Sequence, residues 1–228
     1  MPARQRWSSE ETQPGNRDRA NSKGAATRQL ILETAEQLFA ERGIEAVPLR
    51  DIAVAAGQRN NVAVQYHFGD RENLLRAIVA YRAARSEQIR TELLADLLAA
   101  DRPPQPRDLV RAFVVSLAGH LEDGNHYLAF LSRHIVERAG YTGLTGVAGT
   151  SIVGTFLALL GRLLPDHPAA VLEERWMTVM STTVHTLSRY QIAQRGERLP
   201  AALPELLEDL VNFLTAGLAA PVTGPAAD

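Results

Sequence analysis

Apolar side chains recur every three or four residues along this chain, in blocks that glycine and proline separate. This spacing matches the turn of an α-helix, so each block presents an apolar stripe that must pack against another element. No segment alternates apolar and polar residues with the period of two that is typical of a strand, and no internal repeat is found. The pattern therefore predicts an all-α protein with about nine helices.

Composition limits the classes of protein that this helical chain can belong to. Hydrophobic residues make up 46% of the sequence, enough for a sizeable core, while the net charge of -2 means that any contact with a polyanion must be local. The absence of cysteine excludes disulfides and thiolate metal sites. Residues 1–24 lack the apolar core of a signal peptide, and no apolar run reaches the roughly 18 residues of a membrane helix. We therefore expect a cytoplasmic protein.

The breaks in the pattern predict two helical domains and two tails. Residues 1–24 are polar and aperiodic, so we expect a disordered tail, and residues 220–228 are expected to be loose. Residues 25–69 are expected to hold three short helices, at about 27–43, 49–55 and 60–67. Residues 70–219 are expected to form a larger domain, opened by a long helix that Asp70 caps and the prolines after Asp101 end. Its further helices are predicted at about 107–121, 126–139, 150–163, 168–195 and 204–218.

The second and third predicted helices have the features of a helix-turn-helix. Such a unit needs a small residue where two helices cross closely and a glycine in the turn, and Ala53 and Gly57 have the usual spacing. Ile52 and Val64 can pack the two helices together. On a helical wheel, the outward face of the third helix holds Asn61, Val62, Gln65 and Tyr66. The opposite face holds Ala63, Val64 and His67.

The outward face has the chemistry of major-groove recognition. Asparagine and glutamine side chains pair a donor with an acceptor that match adenine, and a valine can touch a thymine methyl group. The residues leave other interpretations open, because a helix-turn-helix also occurs as a packing motif. Gln65 and Asn61 can simply be solvated, Arg50 can be only a surface charge, and His67 can be a hydrogen-bonded packing histidine.

Residues 27–78 resemble the DNA-binding domain of the TetR family of bacterial regulators. The resemblance lies in ILETAEQLFAERG at 31–43, LRDIA at 49–53, AG at 56–57 and YHFGDRENLL at 66–75. It implies an N-terminal helix-turn-helix domain followed by a helical ligand-binding and dimerisation domain. The DNA-contacting residues that it implies are Arg50, Asn60, Asn61, Val62, Ala63, Gln65, Tyr66, His67 and Arg71. The sequence departs from the family by one extra residue between Gly57 and Phe68 and by Pro48 at the usual capping position.

The same resemblance implies how the larger domain works. An apolar cavity for a small-molecule effector is expected between the fourth helix and those near 107–121, 126–139 and 150–163. Candidate lining residues are Tyr81, Phe113, His120, Phe130, His134 and Trp176. The last two helices are expected to pair with a second copy through Leu206, Leu207, Leu210, Phe213 and Leu214. The function implied is a homodimeric repressor that a ligand releases from palindromic double-stranded DNA.

Other classes of function have less support in the sequence. The histidines lack the paired spacing of a zinc site, and no nucleophile elbow, P-loop or dinucleotide-binding motif is present, so we expect no metal, no cofactor and no enzymatic activity. Trp176, Met177 and Met180 share one helix, where core or dimer packing is the alternative to ligand contact. A ligand-binding protein without DNA binding and an enzyme on a helical scaffold remain alternatives. The direction of regulation, repression or activation, is also open.

Overall fold

The structure is a computed structural model that describes residues 16–60, 62–122, 124–144, 146–147 and 151–222. These residues form nine α-helices and one 3-10 turn at Gly119–Leu121, with no strand among them, which confirms the all-α prediction. The helices are α1 (Asn16–Arg42), α2 (Leu49–Ala55), α3 (Ala63–Phe68), α4 (Arg71–Ala99), α5 (Pro106–Ala118), α6 (Tyr127–Glu137), α7 (Ser151–Leu163), α8 (Ala169–Arg195) and α9 (Leu203–Ala219).

The first helix begins at Asn16, well before the start expected near Thr27. Residues 16–24 are therefore helical, where a structureless tail was expected, and the rest of that tail, residues 1–15, lies outside the described residues. The segment 16–26 contains no proline, and an added Cβ at Gly24 would meet nothing within 4 Å. A single glycine costs a helix only about 1 kcal/mol, which is too little to stop it.

The third helix is shorter than expected, because it begins at Ala63 and not near Asn60. The side-chain Oδ1 of Asn60 accepts a hydrogen bond from the backbone N–H of Val62 at 3.0 Å. Asparagine side chains often form this local turn, which competes with helix formation. The turn that begins at Asn60 therefore precedes α3, which starts at Ala63.

Side-chain caps mark the starts of both α4 and α5. The Asp70 carboxylate accepts from the backbone N–H of Asn73 at 2.8 Å, so this aspartate caps α4 as expected. The helix ends before the prolines at 103, 104 and 106. Gln105 and Asp108 then form a reciprocal capping box, with Pro106 in the first turn of α5 where its missing N–H costs nothing.

Two groups of helices pack around continuous apolar side chains. Helices α1 to α3 enclose Phe39, Ile52 and Val64, each fully buried. The larger group packs α4 on α5, α6 on α8, and α9 on α5 and α8, with Phe113 and Trp176 in contact inside it. The two groups are joined by α4 and by extensive packing of α1 against α6. Helix α6 therefore contacts the N-terminal unit directly.

Candidate DNA-binding face and ligand cavity

The turn between α2 and α3 depends on a glycine. Gly57 has φ +66, in the left-handed region that most residues avoid, and Gln58 donates its backbone N–H to the Ala53 carbonyl at 2.9 Å. Ile52, Ala53 and Val64 are all 0% exposed where the two helices meet. The small residue, the glycine and the two packing residues therefore take the positions that the sequence predicted.

The packing of α3 leaves one face open to solvent. Val64 and Phe68 are buried, whereas Val62 is 51% and Tyr66 is 84% exposed, and Gln65 lies beside them in solvent. His67 is half-buried, with its ring edge-on to Tyr66 at 5.1 Å. The face thus presents an amide, a phenol and an apolar group, which can contact base edges and sugar-phosphate.

The other residues expected at DNA occupy different environments. Asn61 lies outside the described residues, and Ala63 is half-buried at the start of α3. Arg50 is exposed on α2, with its Nε 3.4 Å from a carboxylate oxygen of Asp51. Arg71 donates to the Ile44 carbonyl, and its guanidinium carbon lies 5.9 Å from the ring centre of Phe39. Arg71 therefore also stabilises the loop between α1 and α2.

Two further cations lie near this face and were not among the sequence candidates. The guanidinium carbon of Arg28 lies 4.8 Å from the ring centre of Phe68, at the end of α3. Arg28 itself is exposed. Arg59 is exposed in the turn just before Asn60. Local spacing contains no signal for Arg28, because its contact joins helices that are distant in sequence. Both arginines can contact phosphates of the DNA backbone, and neither has to face a base edge to do so.

A cavity of about 560 Å³ lies within the larger domain. Helices α4, α5, α6, α7 and α8 and the described residues of the loop before α7 line it, and this volume is in the range of pockets for drug-sized ligands. Most of the wall is apolar, with contributions from Val79, Ala83, Phe113, Leu117, Leu131, Leu144, Val147, Val153, Met177, Met180 and Val184. The polar side chains on the wall are Ser86, Arg90, Tyr127 and Tyr141.

The polar side chains of the cavity wall interact with one another, because Arg90 lies close enough to Tyr127 and Tyr141 for electrostatic interaction. Arg90 pairs with Glu87 at 3.2 Å and donates to the Ser116 hydroxyl at 3.2 Å. Burial lowers the pKa of Arg90, against the opposing effect of Glu87. Burial also raises the pKa of the Tyr127 and Tyr141 phenols, so both are neutral hydrogen-bonding groups at physiological pH.

Three of the aromatic or histidine candidates for ligand contact lie at or behind this wall. Phe113 lines the cavity, and Trp176 packs behind it with the ring centres 5.4 Å apart. His120 contacts the wall through Ser86, whose Oγ is 2.9 Å from the His120 Nε2. Tyr127 lies edge-on to the same histidine ring at 4.8 Å.

The other three candidates lie away from the cavity wall. Tyr81 is on the surface, where its hydroxyl donates to Glu33 at 3.0 Å. Phe130 is fully buried in the contact between α6 and α1, and the His134 Nε2 lies 3.1 Å from the Thr142 carbonyl. These three residues were predicted from their side-chain types, whereas the fold determines which side of each helix faces the cavity.

Helix α6 connects the cavity with the helix-turn-helix. Its first turns contribute Tyr127 and Leu131 to the wall. At its last residue, the Glu137 carboxylate accepts from the backbone N–H groups of Ile44 at 2.9 Å and Glu45 at 3.4 Å. The next residue, Arg138, forms ion pairs with Glu45 at 2.7 Å and with Glu72 at 2.8 Å. We call the contact of Glu137 and Arg138 with this loop the α6 clamp.

Metal-binding clusters and membrane-crossing helices are both absent from the described part of the chain. No group of three or more histidine, aspartate or glutamate side chains there is arranged to hold a metal ion. Among the same residues, no helix combines the length and apolar character needed to cross a bilayer.

Comparison with known proteins identifies both parts of the chain. A family described as bacterial regulatory proteins, tetR family, matches residues 31–78, and one described as tetracyclin repressor-like, C-terminal domain, matches residues 107–217. The HTH-type transcriptional repressor AcnR of Corynebacterium glutamicum is 40% identical over 73 residues, covering 32% of this chain and 38% of AcnR. The repressor BepR of Brucella suis is 29% identical over 125 residues, covering 55% of this chain and 56% of BepR. The chain thus spans about half or less of these relatives.

Solved structures share the overall architecture. A TetR family transcription regulator from Marinobacter aquaeolei VT8 superposes with a TM-score of 0.58 at 18% identity, covering 87% of this chain and 97% of that one. The fatty acid degradation regulator FadR from Bacillus halodurans gives a TM-score of 0.54 at 16% identity, covering 84% and 95%. At these identities the likeness concerns the fold alone. Together with the matches to both domains, the helix-turn-helix and the helical domain behind it show that this chain belongs to the TetR family.

Proposed function

We propose that this chain is a DNA-binding transcriptional repressor of the bacterial cytoplasm that acts as a homodimer without catalysing a reaction. The observation that carries the proposal is the geometry of α3. Val64 and Phe68 fix the helix on its inner side, while Gln65 and Tyr66 remain exposed for DNA. A rigid, outward-facing polar helix is what a major groove accommodates. Arg28 contacts the end of α3, and Arg50 and Arg59 are exposed on α2 and in the turn before α3, so all three offer charge for phosphates.

Dimerisation follows from the amount of DNA that one short helix can read. Two recognition helices about 34–36 Å apart engage successive major grooves of a palindrome, which one copy cannot do. The outer face of α9 offers a surface for the second copy, because Phe213 is 70% exposed there. Leu210 and Leu214 are buried within the subunit, so they stabilise α9 itself and leave Phe213 and Leu206 for the partner.

The cavity and the α6 clamp support release by a small molecule. A ligand shifts the protein toward the conformation that it binds more tightly, by an amount set by its differential affinity, typically about 1–3 kcal/mol. A ligand that displaces Tyr127 or Leu131 moves α6, and the Glu137 contact transmits that movement to the loop before α2. The spacing of the two recognition helices then no longer fits the operator.

Footprinting of the purified chain on the DNA upstream of its own gene tests the proposal. We expect protection of a palindromic site, with affinity that falls steeply as salt concentration rises, because phosphate contacts release counterions. A reporter gene behind the protected site should be less active when the chain is present. Absence of any protected site at low salt would contradict DNA binding, and an increase in reporter activity would contradict repression.

A further inference from the structure

The cavity carries information about the chemistry of its ligand. Its wall is mostly hydrocarbon, so a charged or strongly polar molecule would lose more hydration than the wall can replace. The few polar groups of the wall lie close together, because Arg90 interacts electrostatically with both Tyr127 and Tyr141, and His120 contacts both Ser86 and Tyr127. Such an arrangement orients a ligand that has one polar end and an apolar body.

Tyr141 is a polar group of the wall whose hydroxyl has unused hydrogen-bonding capacity. Its hydroxyl is buried, and it has no hydrogen-bond partner among the described residues. An unsatisfied buried hydroxyl is unfavourable, and a ligand atom that bonds to it would remove this penalty. Because the phenol is neutral, it can donate to an oxygen of the ligand.

The charge of Arg90 is already matched within the protein. Its guanidinium pairs with the Glu87 carboxylate at 3.2 Å, and the other oxygen of that carboxylate accepts from the backbone N–H of Ile152 at 3.0 Å. An anionic ligand would have to compete with Glu87 and then lie close to its negative charge. A cationic ligand would meet the guanidinium on the same side of the cavity. Both charged classes are therefore disfavoured.

We infer that the effector is an uncharged, mainly hydrocarbon molecule with a carbonyl or hydroxyl oxygen that hydrogen-bonds to Tyr141. Tyr127 is the second phenol of the wall and interacts electrostatically with Tyr141. The inference rests on the proposed role of the cavity as the effector site. It specifies the class of ligand, which the proposed function leaves open.

Three probes of matched shape test the inference on the full-length chain. They are 4-phenylcyclohexanone, 4-phenylcyclohexanecarboxylate and phenylcyclohexane, which differ only in the polar end, and calorimetric titration at pH 7.5 measures each dissociation constant. We expect the ketone to bind about two- to tenfold more tightly than the hydrocarbon, the effect of one hydrogen bond. The carboxylate should bind on the order of tenfold more weakly than the ketone, because its charge must be buried.

Variants locate the interaction. Tyr141→Phe should remove the preference for the ketone over the hydrocarbon and leave hydrocarbon affinity unchanged. Tyr81→Phe is the matched control, since this tyrosine lies on the surface and should leave the preference intact. In a Trp7→Phe background, Trp176 is the single tryptophan, so its fluorescence reports occupancy of the cavity through Phe113. Thermal unfolding establishes that each variant is folded.

The outcomes separate this inference from the proposed function. The inference would be overturned if the carboxylate bound most tightly or if no probe bound. It would also be overturned if Tyr141→Phe kept the preference for the ketone. DNA binding is measured in parallel on the same preparations. If the chain binds DNA and the ligand predictions fail, the regulator remains and only the ligand class is wrong. If the ketone preference holds and no DNA is bound, the proposed function alone fails.

Discussion

Gln65 and the residue before it in α3, Val64, occupy opposite environments. Val64 is fully buried and holds the helix, whereas Gln65 is exposed and its amide is available to a base. This contrast within one turn is what a recognition helix requires, because packing and reading must use opposite faces. Single substitutions can therefore separate DNA recognition from folding.

Gln65→Ala tests direct reading of a base. If the amide pairs with a base edge, we expect specific binding to weaken by about 1–3 kcal/mol with little change in the free energy of unfolding. Fluorescence anisotropy on the footprinted site measures the affinity. Gln88→Ala, an exposed glutamine on α4, is the control and should bind DNA normally. Unchanged affinity for Gln65→Ala would remove this residue from the set of base contacts.

The buried His134 makes stability depend on pH. Burial is the largest cause that lowers its pKa below the ordinary value of 6.5, Arg138 adds to it, and Thr142, Glu72 and Glu137 oppose it. Below about pH 6.5 the unfolded chain gains a proton that the folded chain does not, so stability falls as pH decreases toward the lowered pKa.

We expect His134→Gln to reduce this loss of stability, because glutamine does not titrate and can still donate to the Thr142 carbonyl. Urea unfolding of the two proteins at pH 7.5 and pH 5.5 gives the comparison. The difference between them should decrease toward the acid side. A parallel pair of pH profiles would show that other groups, and not His134, cause the acid loss.

Among the helices, α6 has contacts of two different kinds. Tyr127 and Leu131 line the cavity, and Glu137 bonds to backbone amides of the loop that leads into the helix-turn-helix. Gly43, next to that loop, has φ +92, and an added Cβ would lie 2.7 Å from a Glu137 oxygen. The close approach explains why glycine ends α1 here.

Removal of the Glu137 carboxylate should loosen this loop. Ile44 is fully buried, so Glu137→Ala leaves its N–H without an acceptor and should cost about 1–3 kcal/mol in the free energy of unfolding. Hydrogen exchange of the Ile44 and Glu45 amides should become faster. Glu92→Ala, an exposed carboxylate on α4, is the control and should leave exchange in this loop unchanged. Equal protection in both variants would contradict the α6 clamp.

The proposed assembly of two copies depends on an exposed apolar residue of α9. Phe213 and Val136 are both large apolar residues on the surface, 70% and 71% exposed, but they lie on different helices. On the proposed dimer, Phe213→Glu places a charge in the contact between copies, whereas Val136→Glu does not. We expect light scattering to give a monomer for Phe213→Glu and a dimer for Val136→Glu, with operator affinity lost only in the first. A dimeric Phe213→Glu variant would place the contact elsewhere.

Sequence alone determined the helices and most of their ends. Local physical chemistry suffices to predict the helices and their ends, because each signal acts within a few residues. These signals are the helical spacing, the cap at Asp70, the turn at Gly57 and the prolines after α4. The same holds for the inward Val64 and the outward Gln65, since one helical turn decides their faces. The early start of α1 was missed because its first turns carry no apolar period.

The packing of the helices determines which side chains share the cavity. Tyr81, Phe130 and His134 carry aromatic rings, as Tyr127 and Tyr141 do, yet the first three face other surroundings. The position of a wall residue depends on how five helices rotate and cross, a property of long-range packing that no local pattern records. For the same reason, the contact of Glu137 with the loop near Ile44, 93 residues away, appears only when the helices are assembled.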